Sequence, residues 1–385
     1  MVVKGDPKVA LVHDFLLCYG GAEKVLEVLC EMFPKAPIYT ILHDKKSMRG
    51  KFSDHEIHTS FLQSLPRFLR VRPKWLLPLL PTAPETFDLR EFDLVISSSG
   101  AWSKGIITRL NTKHIAYIHS PMRFIWDYNE RYVQSTHGKN PGFLTRTLLS
   151  YLRLWDHQAA KRPDVLIANS LYTQKRITKY YRRESVVIYP PAVSLQRTND
   201  RIQTSHTSQI SDFGFQDGRY FLVVARLSPY KNTALVIDVC NKLELPLVVV
   251  GEGKQKKYLE KIAGKTIRIV GWQSEDLLQK HYHNARALIF ASEDDFGIVC
   301  VEALSCGVPV IALGHGGALE IVEEGTMGEF FDAPVSESLA DALRRFLKKE
   351  GSYNLDAMKR SAERFRREKF EKNFRLCVEN LISNE

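Results

Sequence analysis

At 385 residues the chain is long enough for two domains of about 150 to 200 residues, each with its own core. Its 44% apolar and 25% charged residues are those of an ordinary globular protein, and no run approaches the roughly 18 to 20 apolar residues of a membrane-spanning helix. The net charge of +10 admits a nucleic acid, an anionic membrane face or a phosphate-bearing substrate as partner.

Nucleic acid is set aside by the way the bases fall. They cluster at Arg67 to Lys74, Lys175 to Arg183 and Arg344 to Lys372, without the basic-aromatic signature of an RNA-recognition strand or the paired Cys/His of a zinc finger. The six cysteines, Cys18, Cys30, Cys240, Cys300, Cys306 and Cys377, show neither metal-ligand nor redox spacing and several sit in apolar runs. They read as reduced, buried thiols of a cytoplasmic protein. The apolar stretch near the start, Val9 to Val12 behind Lys8, is too short for a signal peptide.

In chain order, Val9 to Val12 is a short β-rich run, followed by His13-Asp14-Phe15 and by Gly20-Gly21-Ala22-Glu23, which opens an amphipathic segment, Lys24 to Phe33. This spacing predicts strand, glycine loop and helix, the glycines letting the backbone approach a ligand. Ile38 to Leu42 is the next strand. Phe61 to Leu80 is broken by prolines and alternates basic with apolar residues. Two readings stand: a membrane-interface segment with Arg67, Arg70, Arg72 and Lys74 toward anionic lipid, or a loop-and-helix excursion packed on the first sheet. Phe92 to Ser97 and His114 to His119 are strand-like, and the second runs into Ser120-Pro121-Met122-Arg123-Phe124-Ile125-Trp126-Asp127. His119 thus falls at a strand's carboxyl end, where open α/β sheets bind ligands. As a lone residue it is equally a hydrogen-bonded loop histidine.

A helical stretch, Leu144 to Lys161, precedes strands at Asp164 to Ser170 and Val186 to Tyr189. Residues Gln196 to Asp217 are polar and read as a linker or surface loop. The domains are therefore expected at 1–195 and 218–365, with a linker at 196–217 and a last helix at 366–385.

The second half begins with Tyr220 to Ala225, a strand, and then Arg226-Leu227-Ser228-Pro229-Tyr230-Lys231-Asn232. Arg226 and Lys231 are five apart across a proline turn, so both can converge on one anion, a planar fork of donors beside a mobile point charge. The plain alternative is a solvated basic turn. Leu247 to Val250 leads into Gly251-Glu252-Gly253, and Ile267 to Val270 into Gly271-Trp272, where Trp272 is either exposed near a ligand or a core aromatic. Ala287 to Phe290 then stops at Glu293, Asp294 and Asp295, and Phe296-Gly297 opens a helical segment, Ile298 to Ser305. The backbone N–H groups of Phe296, Gly297 and Ile298 lie at a helix start, where unpartnered donors and the dipole favour an anion. Asp294 and Glu302, eight apart, suit the hydroxyls of two different sugars, although a cap and a solvated glutamate are the commoner fates of such acids. Val308 to Ala312 is a further strand, and Gly314-His315-Gly316-Gly317 a third glycine loop, whose glycines tight turns alone would explain. From Ser336 the apolar spacing is helical.

Three stretches carry a family resemblance: Arg226 with Lys231 in RLSPYKN, Asp294-x7-Glu302 followed by ALSCGVPVI, and HSPMRFIWD around His119. They resemble the retaining glycosyltransferases of family 4, and the last is similar to a subgroup that includes bacterial O-antigen mannosyltransferases. Asp294 is a departure, since that end of the motif is usually Glu. The resemblance covers most of the chain and implies an α/β, GT-B fold: two Rossmann-like domains facing a cleft, with the C-terminal helix crossing back to the first.

It implies a metal-independent hexosyltransferase that moves a sugar from a nucleotide diphosphate with retention. His119, Arg226, Lys231 and Asp294 are the implied catalytic residues. The donor would also meet Gly21, Gly251, Gly253, Trp272, Phe296, Gly297, Ile298 and Glu302, with Glu302 on the ribose. His13, Asp14, Glu23, Arg123, Trp126 and Asp127 would lie on the acceptor side, Arg123 toward an acceptor phosphate. No cofactor is expected beyond the donor co-substrate, GDP-mannose by the subgroup. The partner would be a lipid-linked glycan, as in O-antigen or lipopolysaccharide synthesis, at the inner, anionic face of the plasma membrane. A UDP-sugar transferase and a catalytically silent GT-B scaffold are the competing readings.

Overall fold

A computed structural model of the chain describes residues 7–70, 73–127, 142–192 and 219–383. The expected linker, 196–217, lies outside them. The chain divides into two compact units, Met1–Pro191 together with Glu368–Glu385, and Ala192–Arg367.

The first unit holds a seven-stranded sheet in the order β3-β2-β1-β4-β5-β6-β7. Its strands are β1 (Val9–Leu16), β2 (Ile38–His43), β3 (Ile57–Thr59), β4 (Leu94–Ser99), β5 (Lys113–Ile118), β6 (Val165–Ala168) and β7 (Val186–Val187). All pairings are parallel. Parallel strands need covered faces and so read as continuous apolar runs, which is why LVIS and IAYI gave them away. The chain fills one side of β1 first and then β4 to β7 on the other, so the order reverses between β1 and β4. In open α/β sheets, ligands bind at such a reversal, beyond the strands' carboxyl ends.

One expectation changes here. His13 and Asp14 lie within β1, which runs on to Leu16 opposite His43, and not in a loop behind a short strand. Two polar residues can sit in this buried ladder because each finds partners on β4 or just beyond it, described below. Two short strands that no sequence pattern announced, β3 here and Gly328–Phe331 in the second unit, lie at sheet edges.

The helix Gly21–Met32 buries Val25, Leu26, Leu29 and Met32 on one face. Helix Arg367–Ser383 packs Phe370, Phe374 and Val378 into the same core as Leu11, Ile96 and Tyr117, so the end of the chain belongs to the first unit. The segment from Phe61 to Leu80 is packed on the first unit along part of its length, as the excursion reading expects. Leu62, Leu76 and Leu80 are buried against Leu149, Leu152 and Trp155 of helix Phe143–Ala159, while Phe68 and Trp75 stand 61% and 60% exposed. Arg72 is outside the described residues.

The second unit has six parallel strands in the order β10-β9-β8-β11-β12-β13. They are β8 (Tyr220–Val224), β9 (Leu247–Val250), β10 (Ile267–Gly271), β11 (Ala285–Phe290), β12 (Val310–Leu313) and β13 (Gly328–Phe331). Here the order reverses between β8 and β11. Among the described residues no helix is long and apolar enough to cross a membrane. Cys30, Cys240 and Cys300 are buried as expected, burial pushing the Cys30 and Cys240 thiols up to about 12, but Cys18 is exposed.

Candidate active site

Each unit gathers its candidate residues at its own sheet reversal. In the second unit the loop after β8 carries Arg226 and Lys231, and the loop after β11 carries Asp294. Lys231 forms an ion pair with Asp294. Burial works against the Lys231 ammonium, but the Asp294 carboxylate outweighs it and holds the lysine above its ordinary value. The two loops are also tied by Asn232, left-handed at φ 53°, whose Nδ2 donates to the Ala291 carbonyl at 2.8 Å. Arg226 is exposed beside this pair. A largely buried ammonium, an exposed guanidinium and a carboxylate thus meet beyond the carboxyl ends of β8 and β11.

Helix Ile298–Ser305 starts next to them with Gly297 as its cap residue at φ 94°. Phe296 is buried on Phe365, ring centroids 5.2 Å apart. Glu302, in the same helix, is only 2% exposed and accepts a hydrogen bond from the Tyr282 hydroxyl at 2.8 Å. That phenol is pushed well above its ordinary value by burial and by Glu302. Tyr282, which anchors the glutamate, carried no signal in the sequence.

The third glycine loop has a sharper purpose than a tight turn. A Cβ on Gly316 would lie 2.3 Å from the Asp294 carbonyl oxygen, and one on Gly317 would lie 2.4 Å from the Phe296 Cα. The Gly317 amide donates to the Asp294 carbonyl at 2.9 Å. The loop therefore holds the backbone of Asp294 to Phe296 in place. Gly251 is constrained alike, since its Cβ would lie 1.9 Å from the Ala225 carbonyl, and Gly253 passes the Leu227 carbonyl as closely. Trp272 is 47% exposed, which removes its reading as a core aromatic.

In the first unit, Asp14 is fully engaged by backbone. Its carboxylate accepts from the amides of Gly100, Ala101, Trp102 and Ser103, at 2.9, 2.6, 3.0 and 2.6 Å. It fixes the turn after β4, with both oxygens engaged by backbone. His13 Nδ1 lies 3.1 Å from Ser98 Oγ and its Nε2 3.4 Å from Glu23 Oε1. Ser98 Oγ also lies 2.7 Å from His119 Nε2. Strands β1 and β4, the end of β5 and the first turn of helix Gly21–Met32 thus share one polar chain, and Gly21 is exposed at the helix start. The Asn169 amide donates to the His119 carbonyl at 2.9 Å and holds the backbone there.

The HSPMRFIWD stretch divides. Arg123 lies over the Tyr172 ring at 5.8 Å. Trp126 donates to Asp156 at 2.7 Å and stacks on Tyr180, and Asp127 pairs with Arg176 and accepts from Tyr180. Trp126 and Asp127 therefore hold this segment to its neighbours. Among the described residues no three His, Cys, Asp or Glu side chains come together as a metal site would require.

Two parallel Rossmann-like units with these strand-end loops are the architecture of GT-B proteins, and the comparisons agree. Residues 19–197 match the family described as Glycosyltransferase Family 4, and residues 207–367 the family described as Glycosyl transferases group 1. Each match takes in less than half of the chain, and the two together make it similar to GT-B glycosyltransferases in both units. It is 24% identical over 327 residues to an uncharacterized glycosyltransferase of Methanocaldococcus jannaschii, with 83% of each chain covered. It is 24% identical to a D-inositol 3-phosphate glycosyltransferase of Geodermatophilus obscurus, where the match takes in 50% of this chain and only 47% of that one. It is 26% identical to the GDP-mannose-dependent alpha-(1-6)-phosphatidylinositol monomannoside mannosyltransferase of Mycolicibacterium smegmatis, over 55% of this chain and 60% of the relative. The fold matches Anabaena Alr3699/HepE, solved with UDP-glucose, at a TM-score of 0.70 and 20% identity over 97% of this chain and 99% of that one.

Proposed function

We propose that the protein is a retaining hexosyltransferase that takes a sugar from a nucleotide diphosphate, GDP-mannose first, and places it on a hydroxyl of a lipid-linked glycan. The observation that carries this reading is the Lys231–Asp294 pair across the β8/β11 reversal. The leaving diphosphate gains negative charge as its bond to the sugar breaks, so the chemistry asks for fixed positive charge at that point. Lys231, kept protonated by its surroundings, and Arg226 supply it, with the amides at the start of helix Ile298–Ser305 alongside. This charge takes the place of a metal on the diphosphate. Losing one such charged hydrogen bond would cost about 1.5 to 3 kcal/mol, roughly ten- to a hundredfold in rate.

Asp294 accepts from sugar hydroxyls when the diphosphate claims Lys231, and Glu302, aimed by Tyr282, accepts from the ribose. The turns at Gly251 and Gly253 border the nucleotide, and Trp272 lies near its base. His119 meets a sugar hydroxyl and Arg123 an acceptor phosphate. The Mycolicibacterium relative supports GDP-mannose as the first donor to test. The exposed Phe68 and Trp75 beside Arg67 support a membrane-bound acceptor and contact with anionic lipid at the inner membrane face.

The test is a thermal-shift panel of GDP, UDP, ADP and their sugar forms on wild type and on Lys231→Ala, with and without EDTA. Stabilisation by GDP compounds alone, kept in EDTA and lost in the variant, is the expected result. A preference for UDP compounds would keep the site and remove mannose. A shift that needs a divalent ion would overturn the metal-free clamp. No shift with any nucleotide would leave a silent scaffold as the better account.

A further inference from the structure

The chain Glu23–His13–Ser98–His119 has a direction, set by what each group is able to give. A carboxylate only accepts, so Glu23 takes its hydrogen bond from a proton on His13 Nε2. A neutral imidazole protonated there has only a lone pair on Nδ1, and that nitrogen accepts from the Ser98 hydroxyl at 3.1 Å. The hydroxyl has one proton. Having given it to His13, Ser98 accepts from the remaining neighbour, His119 Nε2, at 2.7 Å.

We infer that Ser98 and Glu23 are positioning residues that hold neutral His119 in the tautomer protonated on Nε2, so that its Nδ1 acts as a hydrogen-bond acceptor. The geometry favours a fixed arrangement. His13 and Glu23 are buried, Ser98 is fully so, and β4 is held beside β1 in register at His13–Ser98. Just past Ser98 the backbone is clamped by Asp14 from the other side of the same strand end. His13 and His119 stand 6.5 Å apart, ring edge to ring face, with the serine between them. Low local dielectric strengthens such a chain and makes each reversal costly.

The consequence rests on the reading that His119 meets a sugar hydroxyl. An acceptor nitrogen there demands a hydroxyl that donates. It would discriminate against a sugar in which that hydroxyl is replaced by fluorine, which cannot donate. Glu23, which never touches the sugar in this account, would tune that preference through three hydrogen bonds.

Nitrogen NMR of the histidine rings in the full chain tests the tautomer without any substrate, at a pH where the rings are neutral. Wild type is expected to show His119 with a protonated Nε2 and a bare Nδ1. Glu23→Gln, of nearly the same shape but able to donate, should let the chain reverse and give His119 a mixture of both tautomers. Ser98→Ala should uncouple His119 from position 23 altogether. A wild-type His119 protonated on Nδ1 would overturn the inference, as would a His119 spectrum indifferent to Glu23→Gln. In turnover assays, Glu23→Gln should lower kcat roughly three- to tenfold with little change in KM for the nucleotide-sugar. Expected tautomers in a protein without transfer activity would sink the sugar reading and leave the hydrogen-bond chain standing.

Discussion

Lys231 meets its counter-charge within its own unit before any substrate arrives, and this makes Asp294 a competitor for the same ammonium that a diphosphate would claim. Asp294→Asn is therefore expected to tighten binding of the bare nucleotide diphosphate several-fold while lowering transfer by ten- to a hundredfold, since the sugar loses a charged acceptor. Calorimetric titration and initial rates on the same preparation separate the two effects. Weaker nucleotide binding in the variant would show that the carboxylate supports the clamp instead of opposing it.

A second residue sets an acid limit. Burial first, and then the nearby Arg183 and Arg162, lower His114 from 6.5 to about 3. Between those values the unfolded chain takes up a proton that the folded one refuses, so stability falls as pH drops from about 6.5 toward 3. The slope is about 1.4 kcal/mol per pH unit. His114→Gln should flatten it, as read from urea midpoints across that range; an unchanged slope would assign the acid sensitivity elsewhere. The candidate residues of unit 2 were legible as a group because their chemistry is local: Arg226 and Lys231 flank one turn, and Asp294 precedes one helix. The partners of Asp14 were not legible, because the four amides that occupy it come from residues 100 to 103, far away in the chain.

At the scale of elements, the two sheet reversals were not readable, because strand order depends on which strand pairs with which, not on any one strand's pattern. The strands themselves were readable from their apolar runs. The exceptions, β3 and β13, are short edge strands that borrow their pairing from a neighbour. The glycine loop before helix Ala318–Ile321 shows why context matters: Gly316 faces the Asp294 carbonyl at a distance no side chain tolerates. Gly316→Ala combines that overlap with φ 74° and should displace the Asp294 loop. Nucleotide binding is expected to weaken at least tenfold with the far-ultraviolet circular dichroism unchanged. Wild-type binding in this variant would mean that the loop after β11 does not need its glycine support.

For the whole molecule, the assignment of helix Arg367–Ser383 to the first unit was expected from the family resemblance, and its burial of Phe370 and Phe374 explains the energetics. Removing a buried phenylalanine typically costs about 3 to 5 kcal/mol, and this helix inserts two. Ending the chain at residue 366 should leave the first unit unfolded while the second keeps a cooperative transition. Limited proteolysis that yields a protected fragment near 219–366 would report it, whereas a protected fragment spanning residues 7 to 191 would contradict it.

The same helix imposes an order of events during synthesis. The second unit is one continuous stretch and is complete once residue 367 has emerged, but the first must wait for its closing helix. At about 5 to 20 residues per second, that leaves its core open for roughly 10 to 40 seconds after residue 191 leaves the ribosome. For that interval the nascent chain carries the apolar faces of Leu11, Ile96 and Tyr117 without their cover, which makes the amino-terminal half a client for chaperones and the carboxyl-terminal half the first to stand alone.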